Sequence, residues 1–179
     1  MSAEAEAQAA SPIRVVVMGV SGSGKSTIGI ALAERLALPF IEGDELHPKA
    51  NVEKMAAGTP LTDDDRWPWL DLVAERLRAA DDGAVASCSA LRKIYRDRLR
   101  AGAQGRLAFV YLEGDRKLLG VRMGARKGHF MKPAMLDSQL ATLEPPIQEE
   151  NVLTINVAKT PDQIVAAAEK WLKRLNSGP

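Results

Sequence analysis

The sequence predicts an α/β domain in which a parallel sheet is covered by helices on both faces. Three observations predict it. Five short apolar stretches are separated by segments of helical periodicity: Ile13 with Val15 to Met18, Pro39 to Ile41, Ala84 to Cys88, Leu107 to Leu112 and Val152 to Ile155. The first of them runs into Gly19-Val20-Ser21-Gly22-Ser23-Gly24-Lys25-Ser26, which fits G-x-x-x-x-G-K-[ST] at every fixed position. Ile28, Leu32 and Leu36 then recur at helical spacing, so the glycine loop lies between a strand and a helix, the context that a phosphate-binding loop requires.

Composition narrows the class further. At 179 residues the chain is expected to form a single domain over 13–176, with the Ala/Glu-rich residues 1–12 read as a disordered tail rather than a signal peptide. A net charge of +1, with both signs mixed along the chain, argues against a general nucleic-acid or membrane surface. Cys88 has no second cysteine to pair with, which suits a reducing, cytoplasmic location. No apolar stretch approaches the ~20 residues of a membrane span.

In chain order, the second strand runs into Glu42-Gly43-Asp44. His47-Pro48-Lys49 follows, then a short helix carrying Val52 and Met55 and stopped by Gly58. Thr62-Asp63-Asp64-Asp65-Arg66-Trp67-Pro68 reads as a helix entrance, since acidic side chains suit the positive end of a helix and Pro is tolerated in its first turn. Leu70, Val73 and Leu77 give that helix its buried face, and Asp81-Asp82-Gly83 ends it. After the third strand, Ser87 or Ser89 is expected to cap a helix with Leu91, Ile94 and Leu99 inside and Arg92, Lys93 and Arg96 in its first turns. Asp115 is expected to cap the next helix. Gly124 and Gly128 then bracket a basic loop, so a mobile lid is expected over about 124–146, with a helical stretch around Asp137 to Thr142. The last helix opens with Thr160-Pro161-Asp162-Gln163, a Thr cap, a first-position Pro and a Gln three residues on. Ile164, Ala168, Trp171 and Leu175 form its inner face.

The glycine loop sets the chemistry. Residues Gly19, Val20, Ser21, Gly22, Ser23, Gly24, Lys25, Ser26 and Thr27 are expected to hold a nucleotide: inward backbone N–H groups cradle the phosphates, Lys25 reaches the β- and γ-phosphates, and Ser26 holds Mg²⁺. No guanine-reading Asn-Lys-x-Asp occurs, and the ATPase domains of large machines are generally longer. What remains is a small-molecule kinase.

Asp44, at the carboxyl end of a strand, is the candidate general base for an attacking hydroxyl, although Glu-Gly-Asp also reads as a plain strand-ending turn. Glu42 is expected to orient Mg²⁺ through water. The Arg66 fork matches a carboxylate, and the sequence leaves open whether it anchors an acidic substrate or pairs on the surface with Asp63 or Asp65. At least one of Arg92, Lys93 and Arg96 is expected to face the crevice, Arg92 and Arg96 lying on one side of a helix at i, i+4. Arg126 and Lys127 are placed to neutralise charge on the transferring phosphoryl group, and Arg122 to stack on the adenine. His47 reads as a crevice-lining donor rather than half of a metal pair with His129, since no ligand-spaced set surrounds either. Trp67, Trp69 and Cys88 are expected in the core.

These residues resemble the gluconate kinase (gluconokinase) family, a group close to shikimate kinase and the nucleoside monophosphate kinases. The resemblance rests on Met18 to Ser26, Gly43-Asp44 with Leu46-His47-Pro48, Asn51 to Met55, Pro60 to Leu70, Cys88 to Asp97, Arg126 to Met131 and Gln139 to Pro145. It implies ATP-dependent phosphorylation of D-gluconate at the 6-hydroxyl, feeding sugar-acid and pentose-phosphate catabolism. A homodimer and a P-loop sheet of order 2-3-1-4-5 are implied as well. Asp44 would then contact the acceptor hydroxyl and Arg66 the sugar acid, with His47, Arg92, Lys93 and His129 completing the substrate side. Glu42 stands where relatives often carry Asp, and Arg92 where Lys is usual. The competing readings are a kinase for another small hydroxy acid and a regulatory nucleotide-binding module without turnover. Intact Lys25, Ser26 and Asp44 argue against the second.

Overall fold

A computed structural model describes residues 12–124 and 133–177. The tail positions 1–11 and the 125–132 part of the expected lid lie outside the described residues. Strands β1 (Ile13–Met18), β2 (Phe40–Glu42), β3 (Gly83–Ser87), β4 (Ala108–Glu113) and β5 (Val152–Asn156) form one parallel sheet in the order β2-β3-β1-β4-β5. Around it lie α1 (Lys25–Leu36), α2 (Lys49–Ala56), α3 (Asp63–Ala79), α4 (Lys93–Ala103), α5 (Arg116–Gly124), α6 (Pro133–Thr142) and α7 (Pro161–Ser177).

Side-chain alternation explains the apolar runs. Val15 and Val17 share a core with Ile28 and Leu32 of α1 and Ile164 and Ala168 of α7. Val16 and Met18 point the other way, into a core with Leu70 and Leu77 of α3 and Leu99 of α4. Likewise, Val110 and Leu112 join the first core while Phe109 and Tyr111 join the second. A strand with helices on both faces has no solvent-facing alternate position, so neither parity can be polar.

Local capping chemistry defines several helix starts. Asp115 accepts from the Leu118 N–H at 2.8 Å. Thr160 and Gln163 exchange reciprocal bonds at 3.0 and 3.2 Å, and Thr62 with Asp65 forms the same box at the start of α3. Three expectations need correction. Pro68 lies inside α3, beyond its first turn, which leaves the Asp64 carbonyl without the N–H it would normally receive. α2 buries Asn51 and leaves Val52 about half exposed. The helix after β3 is capped by neither serine: Ser87 is a strand residue, Arg92 stands at the N-cap in extended conformation, and Ile94 is exposed while Tyr95, Arg96 and Leu99 are inside.

Candidate active site

Because all five strands are parallel, the loops that follow them gather at one edge of the sheet. The loop after β1 is tied to the loop after β3 by the Gly19 N–H donating to the Ser89 carbonyl at 3.3 Å. Gly22 adopts φ +82, and a Cβ there would come within 2.9 Å of the Leu119 carbonyl oxygen, so only glycine fits. Gly24 is the N-cap of α1, with Lys25 and Ser26 in the first turn. Within the loop, Ser23 Oγ is buried and has no hydrogen-bond partner among the described residues. An orphaned hydroxyl in a glycine loop and the helix N-terminus that follows it form a cradle suited to the phosphates of a nucleotide.

The carboxylate of Glu42 binds two hydroxyls at once. Ser26 Oγ donates to Oε2 and Ser87 Oγ to Oε1, each at 2.6 Å. β2 extends one residue further than expected, and this puts Glu42 in register with Ser87. Gly43 follows because its Cα abuts the Ser87 carbonyl, leaving no room for a Cβ. The Ser26 hydroxyl and Glu42 carboxylate are hard oxygen donors at the mouth of the phosphate cradle. Such a pair fits Mg²⁺, which takes one or two protein oxygens and completes its shell with phosphate and water.

On one side of the loop a cleft is lined by Ser21, Lys25, Asp44, His47, Arg66 and Tyr95. His47 stacks on Trp69 at 4.0 Å and 15°, and the Trp69 indole N–H anchors to the Gly43 carbonyl at 2.8 Å. Trp69 is thus core, as expected, and also the platform for a cleft residue. Burial holds the His47 pKa below its ordinary value; Asp44 pulls it up and Arg66 pushes it down. Asp63 collects three partners: it accepts from Tyr95 Oη, from Arg66 Nη1 at 3.4 Å and from Arg92 Nη1 at 3.2 Å. Both guanidinium groups also lie over the Tyr95 ring, at 5.2 and 5.8 Å from its centroid. Arg66 therefore makes the expected pair with Asp63 and also lines the cleft.

The basic group after β3 is distributed differently from the helical expectation. Ala90 adopts φ +45 and Arg92 is extended at the N-cap, one residue before the helix begins, so Arg92 and Arg96 do not share a helix face. Arg96 is fully buried, bonding the Ala90 and Glu144 carbonyls at 2.8 Å each and the Glu149 carboxylate at 2.6 and 3.0 Å. Lys93 pairs with Asp97 at 2.7 Å and faces a separate hollow with Arg100 and Glu149. Of the three, Arg92 alone is bonded to the Asp63 cluster, and it also faces Glu144 at 3.7 Å.

On the other side of the loop, a second hollow is bounded by Gly22, Gly24, Thr27, Arg122, Lys159 and Pro161. Arg122 is held there by a 2.6 Å bond to the Val157 carbonyl. Residues of the loop therefore line two hollows, one with Asp44 and one with Arg122. Arg126, Lys127 and His129 lie outside the described residues. Cys88 is fully buried, and burial pushes its thiol up to about 12, the state of an inert core residue.

Sequence reasoning gave no site role to Tyr95, Ser87 or Gln139, and it named Asp63 only as a surface partner of Arg66. Tyr95 carried a signal, since it lies four residues before the buried Leu99. Gln139 of α6 accepts from the Ser21 N–H at 2.7 Å, but the partners are 118 positions apart and nothing local announces the contact.

Comparison with known proteins agrees with this geometry. A family model described as an AAA domain matches residues 15–146. The gluconokinase of Gluconobacter oxydans is 49% identical over 157 residues, spanning 86% of this chain and 88% of its own. The thermoresistant gluconokinase of Escherichia coli is 44% identical over 163 residues, 89% and 93% respectively. Among solved structures, a gluconokinase from Sinorhizobium meliloti superposes with a TM-score of 0.86 at 51% identity, covering 94% of this chain and 95% of that one.

Proposed function

This chain belongs to the gluconokinase family of P-loop kinases, and from that premise we infer that it transfers the γ-phosphoryl group of ATP to the 6-hydroxyl of D-gluconate, giving 6-phospho-D-gluconate and ADP. The observation that carries this reading is one cleft lined at once by Lys25 of the phosphate loop, by Asp44 and by Arg66. A nucleotide anchor, a carboxylate and a guanidinium are what transfer to an acidic polyol needs.

In the mechanism we propose, Asp44 takes the proton from the 6-hydroxyl as its oxygen attacks the γ-phosphorus. The new O–P bond forms while the bond to the β-phosphate oxygen breaks, and ADP leaves. The loop amides and Lys25 hold the β- and γ-phosphates through this charge shift. Ser26 would hold Mg²⁺, with Glu42 orienting it through water. When bound, that ion supplies positive charge beside the transferring group.

Arg66 receives the carboxylate of the sugar acid, and His47 a substrate oxygen. Arg92 supports Arg66 through Asp63 rather than by reaching the cleft itself. Lys93, paired with Asp97, is proposed as a substrate residue from its place in the sequence, while Arg122 remains the proposed face for the adenine. Arg126, Lys127 and His129 are proposed from sequence alone, as part of a lid over 124–146 that closes to exclude water. A homodimer in the cytoplasm is the proposed setting; among the described residues no helix is long and apolar enough to cross a membrane.

A coupled ADP-release assay across a panel of sugar acids tests the activity. D-gluconate is expected to give the highest kcat/KM. Release of ADP with none of the acids, despite ATP binding, would overturn the reading in favour of a regulatory module.

A further inference from the structure

Asn51 is 3% exposed, and α2 buries it where an apolar residue would be the ordinary choice. Its amide nitrogen stands 2.9 Å from the Asp65 carbonyl oxygen and 3.3 Å from His47 Nδ1. A carbonyl oxygen only accepts, so the Asn51 atom facing it must be the NH₂ group. Turning the amide over would set two acceptor oxygens against each other. Both amide hydrogens are then assigned, one to Asp65 and the other to His47.

It follows that Nδ1 of His47 meets a donor and carries the ring's lone pair. The proton of the neutral imidazole therefore sits on Nε2. Nε2 has no hydrogen-bond partner among the described residues, and the ring lines the cleft with Asp44, Arg66 and Tyr95. Stacking on Trp69 holds the ring plane in place.

We propose that Asn51 is a positioning residue that fixes His47 as its Nε2–H tautomer, so that His47 is a neutral hydrogen-bond donor to a substrate oxygen and not a second base beside Asp44. The identity of that oxygen, on a sugar acid, rests on the function inferred above; the tautomer does not. A base needs an available lone pair, and the one on this ring is occupied. Charging the ring would set an Nδ1–H against the Asn51 amide, and burial disfavours the imidazolium as well.

Long-range ¹H–¹⁵N NMR of the full-length ¹⁵N-labelled protein reads the tautomer directly. The chain has two histidines, and the signals lost in His47→Leu identify the ring. Without substrate at neutral pH, Nε2 is expected to be protonated and Nδ1 bare. Asn51→Asp, whose carboxylate accepts, is expected to move the proton to Nδ1 or to charge the ring. A wild-type ring protonated at Nδ1, or charged, overturns the proposal even where the variant fails to fold.

Kinetics give the second readout. His47→Leu is expected to raise KM for gluconate about tenfold, more than it lowers kcat. His47→Gln, which keeps an N–H near the Nε2 position, should raise it less. A kcat loss beyond about 10²-fold at unchanged KM would make the ring a base and overturn the proposal. Failure of the gluconate reading would appear in the ADP-release panel and leave the NMR result untouched.

Discussion

Ser26 Oγ donates to Glu42 Oε2 at 2.6 Å, joining the first turn of α1 to the last residue of β2. The other oxygen of the same carboxylate is held by Ser87 at 2.6 Å, so Glu42 is fixed in direction by two hydroxyls. Its charge faces the end of the phosphate loop.

Glu42→Gln keeps the size of the side chain but removes that charge and one acceptor. Apparent Mg²⁺ affinity is expected to fall about 10- to 100-fold, the usual cost of losing a group that orients a metal ligand. The Mg²⁺ dependence of turnover at saturating ATP measures it. An unchanged Mg²⁺ midpoint would leave Glu42 as a tie between strands and helix.

Asp44→Asn retains the cleft's shape and removes the proton acceptor. We expect kcat to drop about 10²- to 10⁴-fold with ATP affinity preserved. Steady-state rates alongside nucleotide titration check both halves, and near-normal kcat would eliminate Asp44 as the base.

Arg66→Ala removes a guanidinium that faces both Asp63 and the cleft. Losing a charge-assisted bond to the substrate carboxylate is expected to raise KM for gluconate about 10- to 150-fold, with KM for ATP little affected. A change confined to ATP would assign Arg66 to the nucleotide side instead.

Glu149 faces Arg96, whose side chain is fully buried. Burial pushes the Glu149 carboxyl up, yet hydrogen bonds from Arg96 and Arg100 outweigh it and hold the group below its ordinary range. Glu149→Ala leaves the Arg96 charge uncompensated, and a loss of about 3–5 kcal/mol is expected in urea unfolding. A loss below about 1 kcal/mol would give the pair no more weight than a surface ion pair.

Much of this protein was legible in the residues themselves. The phosphate loop, the five strands, and the caps at Asp115 and Thr160 depend on periodicity and on side chains reaching backbone within a few positions. Those interactions form in the same way wherever the segment finds itself, so pattern alone determines them. Asp44 was placed beside the loop by the rule that parallel strands end together.

Only the tertiary structure decided which distant partners the remaining charged and polar groups take. Arg96 went to Glu149 across 53 positions, Tyr95 to Asp63 across 32, and Gln139 to Ser21 across 118. Arg92, extended at the N-cap of α4, lies off the helix face that its spacing promised. A buried charge or amide must find its complement among whatever surfaces packing brings together, and that choice is made by the folded whole rather than by neighbours in sequence.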